Sequence, residues 1–230
     1  MKKIILSVMA AVGLFTLIGC NNHSESQIVA PAELAEFKPM QQSFRGVLPC
    51  ADCGGVDTSL FLAKDGTWVM KERYQGKAAD AVFSSWGTWA RTANKLVLTQ
   101  SNGEKRYFHP EGEGLEMLDR DGNPIQSALN YRLQPTKDAL PTTPMAMKGM
   151  YKYMADAAIF TDCATGRTFG VDGNPQLERD YIAARGTEMR PVLLIVQAHF
   201  TLRANPDSGE MRKTIVADSR GQFQPGKDCD

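Results

Sequence analysis

The 230-residue chain balances 26 lysines and arginines against 26 aspartates and glutamates, so its formal net charge is zero. Its 43% hydrophobic and 23% charged residues are enough for one large or two small domains. No basic surplus suits nucleic acid, and no acidic block reads as a disordered tail.

At the N-terminus Lys2 and Lys3 precede an apolar run, Ile4 to Ile18. That run is short for a membrane span, which takes roughly 20 residues. It ends in Leu17-Ile18-Gly19-Cys20, a small-residue cleavage site directly before a cysteine. The arrangement is similar to the bacterial lipobox, in which the cysteine is lipidated and becomes the new N-terminus. The alternative is a plain secretory signal beside an unrelated Cys20. On the lipobox reading residues 1–19 are a signal peptide, Cys20 carries the acyl chains, and 20–42 form a tether. Each buried CH₂ of the anchor would contribute about 0.8 kcal/mol. Asn21 stands where an Asp in enteric bacteria usually retains a lipoprotein at the inner membrane. The resemblance therefore implies an outer-membrane protein facing the periplasm. A short helical turn is expected over 32–37.

From Ser43 to residue 134 the texture is β. Eight short strands are expected: around Phe44 to Leu48, then 58–62, 67–70, 83–90, 95–99, 104–108, 115–118 and 130–133. Lys64-Asp65-Gly66 and Asn102-Gly103 are turn signals, because these pairs accept positive φ at low cost. Regular turn spacing points to an antiparallel barrel or sandwich. Gly66-Thr67-Trp68 recurs as Gly87-Thr88-Trp89, as though two hairpins present a tryptophan in equivalent places. Pro135, Pro141 and Pro144 then mark an extended linker, 135–147. The second domain, 148–230, reads as three strands, a helix and two strands, the order of an OB-fold barrel. Asn174-Pro175 supplies an N-cap and a first-turn proline. Leu177, Tyr181 and Ile182 supply the apolar stripe, and Gly186 the stop.

Setting Cys20 aside, four of the five cysteines remain, an even number in an oxidising compartment. Three connectivities are possible, and spacing favours Cys50–Cys53 and Cys163–Cys229. The second would close a long loop, worth about 4 kcal/mol on chain-entropy grounds. Cys50 and Cys53 lie in Leu48-Pro49-Cys50-Ala51-Asp52-Cys53-Gly54-Gly55, which admits three roles: a loop-pinning disulfide, a redox sensor, or a Cu(I) site, since soft thiolates select that ion. A thioredoxin-type CxxC caps a helix after a strand, whereas this one is followed by Gly-Gly and a β-like run. Asp52 would also raise the thiol pKa values, against a fast nucleophile.

The lipobox, the Gly46-Val47-Leu48-Pro49-Cys50-Ala51-Asp52-Cys53 block, Phe160-Thr161-Asp162-Cys163 and the near-terminal Cys229 together resemble the NlpE (CutF) family of enterobacterial outer-membrane lipoproteins. The resemblance spans nearly the whole mature chain. It implies an all-β protein: an N-terminal lipocalin-like barrel followed by a C-terminal OB-fold with one helix. It further implies activation of the Cpx two-component pathway through its sensor kinase, with associations to copper homeostasis and surface adhesion. Its partners would then include the machineries of disulfide formation and lipoprotein sorting; homodimerisation is left open.

Other constellations have plainer readings. Met145, Met147, Met150 and Met154 are soft donors, with Met145 and Met147 weak copper candidates, yet methionine is also a common core filler. His23, His109 and His199 share no ligand spacing. Trp68, Trp86 and Trp89 either line a small-ligand pocket or pack a core. Asp119 and Asp121 sit in a turn. No Ser/His/Asp order, phosphate loop or HExxH recommends catalysis, so a non-enzymatic protein is expected.

Overall fold

The computed structural model describes residues 42–76, 81–205 and 208–230. The expected signal peptide, Cys20, His23, the expected tether up to residue 41 and the expected turn at 32–37 lie outside the described residues.

Eight strands follow one another: β1 (Gln42–Leu48), β2 (Val56–Leu62), β3 (Thr67–Tyr74), β4 (Val82–Arg91), β5 (Leu96–Gln100), β6 (Lys105–Glu111), β7 (Gly114–Met117) and β8 (Arg132–Thr136). Each pairs antiparallel with the next, and β8 returns to β1 with Ser43 opposite Thr136, so the sheet closes as a lipocalin-like barrel. Closure removes the free strand edges that an open sheet exposes. Alternation places Phe44, Leu60, Trp68, Met70, Leu98, Phe108 and Leu133 inside, where they form one core. The repeated Gly-Thr-Trp falls on neighbouring strands, with Trp68 directly opposite Gly87. The Trp68 indole N–H donates to the Thr88 carbonyl at 2.9 Å. A Cβ at Gly87 would collide with the Thr99 carbonyl oxygen. Trp89 lies one step on and donates instead to the Ala63 carbonyl at 3.0 Å, so the two tryptophans are not equivalent.

The connection between barrels is shorter than proline density suggests. β8 runs through Pro135, which lies opposite Phe44 on β1 and has no β7 neighbour, because β7 reaches only Leu133. A proline there forgoes at most one ladder bond. Arg45 donates to both Asp57 carboxylate oxygens, at 3.0 and 2.8 Å, and lies 3.8 Å from Asp138, which holds the linker to the first barrel.

The second barrel comprises β9 (Met145–Met154), β10 (Ala157–Asp162), β11 (Thr168–Val171), α1 (Pro175–Arg185), β12 (Val192–Ala204), β13 (Met211–Ala217) and β14 (Gln222–Gln224). The ring runs β9–β10–β11–β13–β12 and back to β9, with β11–β13 its parallel pair. This is the OB arrangement. Helix α1 is capped as the sequence predicts: Asn174 Oδ1 accepts the Leu177 N–H at 3.0 Å, and Glu178 Oε1 accepts the Asn174 N–H at 3.2 Å. Leu177 and Tyr181 are buried, but Ile182 is 47% exposed, because a residue five positions after Leu177 has turned away from the core face. Short β14, unforeseen from sequence, pairs with Leu193–Ile195 of β12 and sets Phe223 against Tyr151 and Tyr181.

The two barrels share a hydrophobic cluster. Phe61, Val69 and Trp86 lie on the outer wall of the first barrel, yet pack with Phe169, Phe200 and Ile215 of the second. Trp86 meets Phe169 and Phe200 edge-on, at centroid distances of 5.5 and 5.2 Å.

Candidate functional site: two disulfides and a shared wall

Both expected disulfides are present. Cys50 pairs with Cys53 and Cys163 with Cys229, at Cα separations of 5.3 and 5.1 Å.

The first lies in the β1–β2 connection at one end of the barrel. Gly54 N–H donates to the Gln75 carbonyl at 3.1 Å, and Gln75 N–H donates to the Gly55 carbonyl at 2.9 Å. Two backbone bonds therefore seat the loop on the β3–β4 connection without help from the disulfide. Gly55 has φ 139°, and a Cβ there would press on the Val47 side chain, which explains the second glycine after the pair. Cys50, Asp52 and Cys53 place three ligand-type atoms within 4.8 Å of one another. As observed, the two sulfurs bond each other and present no thiolate, so the oxidised loop does not fit a soft metal ion. Reduction would leave two thiolates beside one hard carboxylate.

The second disulfide joins the β10–β11 turn to the chain end across a sequence separation of 66. The turn is already organised by buried Asp162, whose Oδ2 accepts from Ala164 N–H (3.1 Å), Thr165 N–H (2.8 Å) and Thr165 hydroxyl (2.8 Å). The bond therefore acts chiefly on the C-terminal segment. That segment is otherwise held by β14, by Arg220 on Asp180 of α1 at 2.9 and 3.1 Å, and by Lys148 Nζ on the Cys229 carbonyl at 3.3 Å. Both cysteines are half-buried.

Sequence reasoning missed Lys213. It is buried in the wall between the barrels, 3.1 Å from Asp65 in the β2–β3 turn of the first barrel and hydrogen-bonded to the hydroxyl of Thr67, which opens β3. Its ammonium lies 5.1 Å from the Phe200 ring centroid and 5.7 Å from that of Phe169. Burial pushes the Lys213 pKa down, more than the Asp65 carboxylate restores. Burial pushes Asp65 up, but Lys213 and the bonds from Thr67 outweigh it and hold the carboxyl below its ordinary value. A signal existed: Lys213 and Ile215 are two apart on one strand, so they share a face.

The remaining candidates have structural places. Met145 and Met147 are 4% and 2% exposed in the second barrel's core, whereas Cys50–Cys53 occupies a loop of the first; the structure does not bring them into one site. His199 Nδ1 lies 2.9 Å from Asp218, and His109 Nδ1 lies 2.9 Å from the Asn94 carbonyl. Asp119 accepts from the N–H groups of Asp121 and Asn123, a turn role. Trp68 packs in the first core and Trp86 against the second barrel.

Two family models match: the NlpE N-terminal domain over residues 44–128 and the NlpE C-terminal OB domain over residues 141–230. The chain is 59% identical over 229 residues to Lipoprotein NlpE of Escherichia coli (strain K12), covering 99% of this chain and 97% of that one. It is 30% identical over 113 residues to the 17 kDa lipoprotein of Treponema pallidum (strain Nichols), covering 48% of this chain and 72% of that one. Among solved structures, the Cpx pathway activator NlpE from Escherichia coli matches at 59% identity and TM-score 0.42, over 83% of this chain and 98% of that one. A putative lipoprotein from Shewanella oneidensis matches at 31% identity and TM-score 0.37, over 43% and 91%. With identity this high across nearly the full length of the Escherichia coli lipoprotein, the chain belongs to the NlpE lipoprotein family.

Proposed function

We propose that the protein is a non-enzymatic envelope-stress sensor, anchored through Cys20 in the outer membrane and facing the periplasm, whose Cys163–Cys229 disulfide reports on oxidative folding. When lipoprotein sorting or disulfide formation fails, the chain is retained or misfolds near the inner membrane. There its first barrel engages the Cpx sensor kinase. The observation that carries this reading is the second disulfide, which ties the chain end to a distant turn. Such a bond is worth about 4 kcal/mol, comparable with a small domain's whole stability. Support for the pathway comes from identity to the Escherichia coli lipoprotein, whose solved structure is described as that of the Cpx pathway activator. The test is a Cpx reporter in cells expressing the Cys163→Ala/Cys229→Ala chain. Raised output is expected; unchanged output would overturn the redox arm. A Cys20→Ala chain, left unanchored, tests whether tethering matters.

A second reading assigns copper binding to the reduced Cys50–Cys53 loop, favoured by the clustering of Cys50, Asp52 and Cys53. Titration of reduced protein with Cu(I) against a competing chelator tests it. Tight binding lost in Cys50→Ser/Cys53→Ser supports the site, and equal binding in both forms removes it. A role in adhesion rests on the family resemblance alone.

A further inference from the structure

The first barrel encloses a core of its own, yet three apolar side chains on its outside are almost dry. Phe61 is 7%, Val69 1% and Trp86 3% exposed. Phe61 pairs with Val69, and Val69 with Trp86, so all three stand side by side across β2, β3 and β4. Their burial is supplied by the second barrel. The residues they meet, Phe169, Phe200 and Ile215, are not a separate surface patch. Phe169 pairs with Phe160 and Phe200 with Ile215, all of them members of that barrel's own core cluster. The wall of the first barrel therefore completes the core of the second. One charged contact accompanies the apolar ones, Lys213 on Asp65 and Thr67.

We propose that the second barrel is a redox-dependent mask on this wall: Phe61, Thr67, Val69 and Trp86 are covered only while the second barrel is folded and docked, so loss of Cys163–Cys229 uncovers them. The inference rests on the reading that this disulfide reports folding, and it gives that report a physical output on the first barrel. Burying a lysine without its carboxylate is costly, so Asp65 makes docking depend on correct registry of the two barrels. The coupling is direct because the cluster is shared, and loosening β11, β12 or β13 moves the side chains that touch Trp86.

All three tryptophans of the chain, Trp68, Trp86 and Trp89, lie in the first barrel, so tryptophan emission watches the mask from the covered side. The experiment uses the mature chain with Cys20 replaced to keep it soluble, and reads acrylamide quenching and emission maximum. Cys163→Ala/Cys229→Ala is expected to raise the quenching constant and shift emission to the red. The change should vanish on a Trp86→Phe background, where Trp68 reports that the first barrel remains folded. Asp65→Lys, with both disulfides intact, is expected to open the same face by setting two ammonium groups together. Adding Lys213→Asp to it should close the face again, a rescue that mere loss of packing would not give. Quenching that stays at the parent level in the cysteine variant, or in Asp65→Lys, overturns the mask. A face that opens in both while the Cpx reporter stays silent upholds the mask and rejects the sensor reading instead.

Discussion

The two barrels use the same materials and differ in self-sufficiency. The first closes eight strands around a cluster made entirely of its own residues, and its disulfide spans a sequence separation of only 3. The second closes around a cluster that extends into its neighbour, and its disulfide spans 66. A bond that closes a few residues constrains an unfolded chain little, whereas one that closes a long loop constrains it much. Oxidation therefore has a local consequence in the first barrel and a global one in the second.

The contrast breaks most visibly at Trp86. Trp86→Ala removes a buried aromatic from the shared cluster and should cost about 3–5 kcal/mol, read by denaturant unfolding followed by circular dichroism. Although Trp86 belongs to the first barrel's sequence, the loss should fall largely on the second barrel's transition. Phe108→Ala, inside the first core, should destabilise the first barrel by a similar amount and leave the second barrel's transition in place only as long as the first barrel stays folded, because the first supplies Phe61, Val69 and Trp86 to the shared cluster. Next in size is the cysteine comparison. Cys163→Ala/Cys229→Ala should cost about 4 kcal/mol and Cys50→Ser/Cys53→Ser no more than about 2 kcal/mol by the same loop arithmetic. Equal costs for the two pairs would erase the distinction between a local clip and a global tie.

Smaller effects sharpen the picture. Asn174→Ala removes the α1 cap and should cost about 1 kcal/mol, all of it in the second barrel. The smallest expected effect is in acid. The Asp65 carboxyl lies below its ordinary value of 3.8 when folded, so its contribution to docking is complete above that value. The contribution is lost as pH falls through the lower folded value. Trp86 quenching should therefore rise below pH 3.8, and Asp65→Asn should lack that component. Lys213 has the same sign of pH dependence in a different window: its pKa is pushed down, so the cost of charging it when buried is released as pH rises towards its ordinary 10.5.

Much of this architecture was legible because its signals are local. Asp65-Gly66 turns the chain with Gly66 at φ 78°, Asn174-Pro175 caps a helix, and regularly spaced turn signals mark out the eight strands of the first barrel. The cysteine pairing was legible because oxidation and spacing leave few choices. What escaped notice depends on contacts distant in sequence. Met145 and Met147 directly follow the proline cluster and read as linker, but they alternate with exposed Ala146 and Lys148 and open β9. Gln222–Gln224 is too short to show a period, and gains its place from Phe223 meeting two tyrosines. Trp86 and Lys213 each look ordinary alone. Only the fold shows that a tryptophan on one barrel's outside is a core residue of the other.

The central claim is that Cys163–Cys229, and not Cys50–Cys53, carries the redox signal. Differential thiol labelling of the four cysteines in protein taken from the periplasm tests it directly when a Cpx reporter is read in the same cells. With disulfide formation intact, both pairs should resist labelling. As the oxidising machinery is limited, reporter output should rise in step with labelling of Cys163 and Cys229. Output that follows Cys50 and Cys53 while Cys163 and Cys229 remain oxidised would contradict the account.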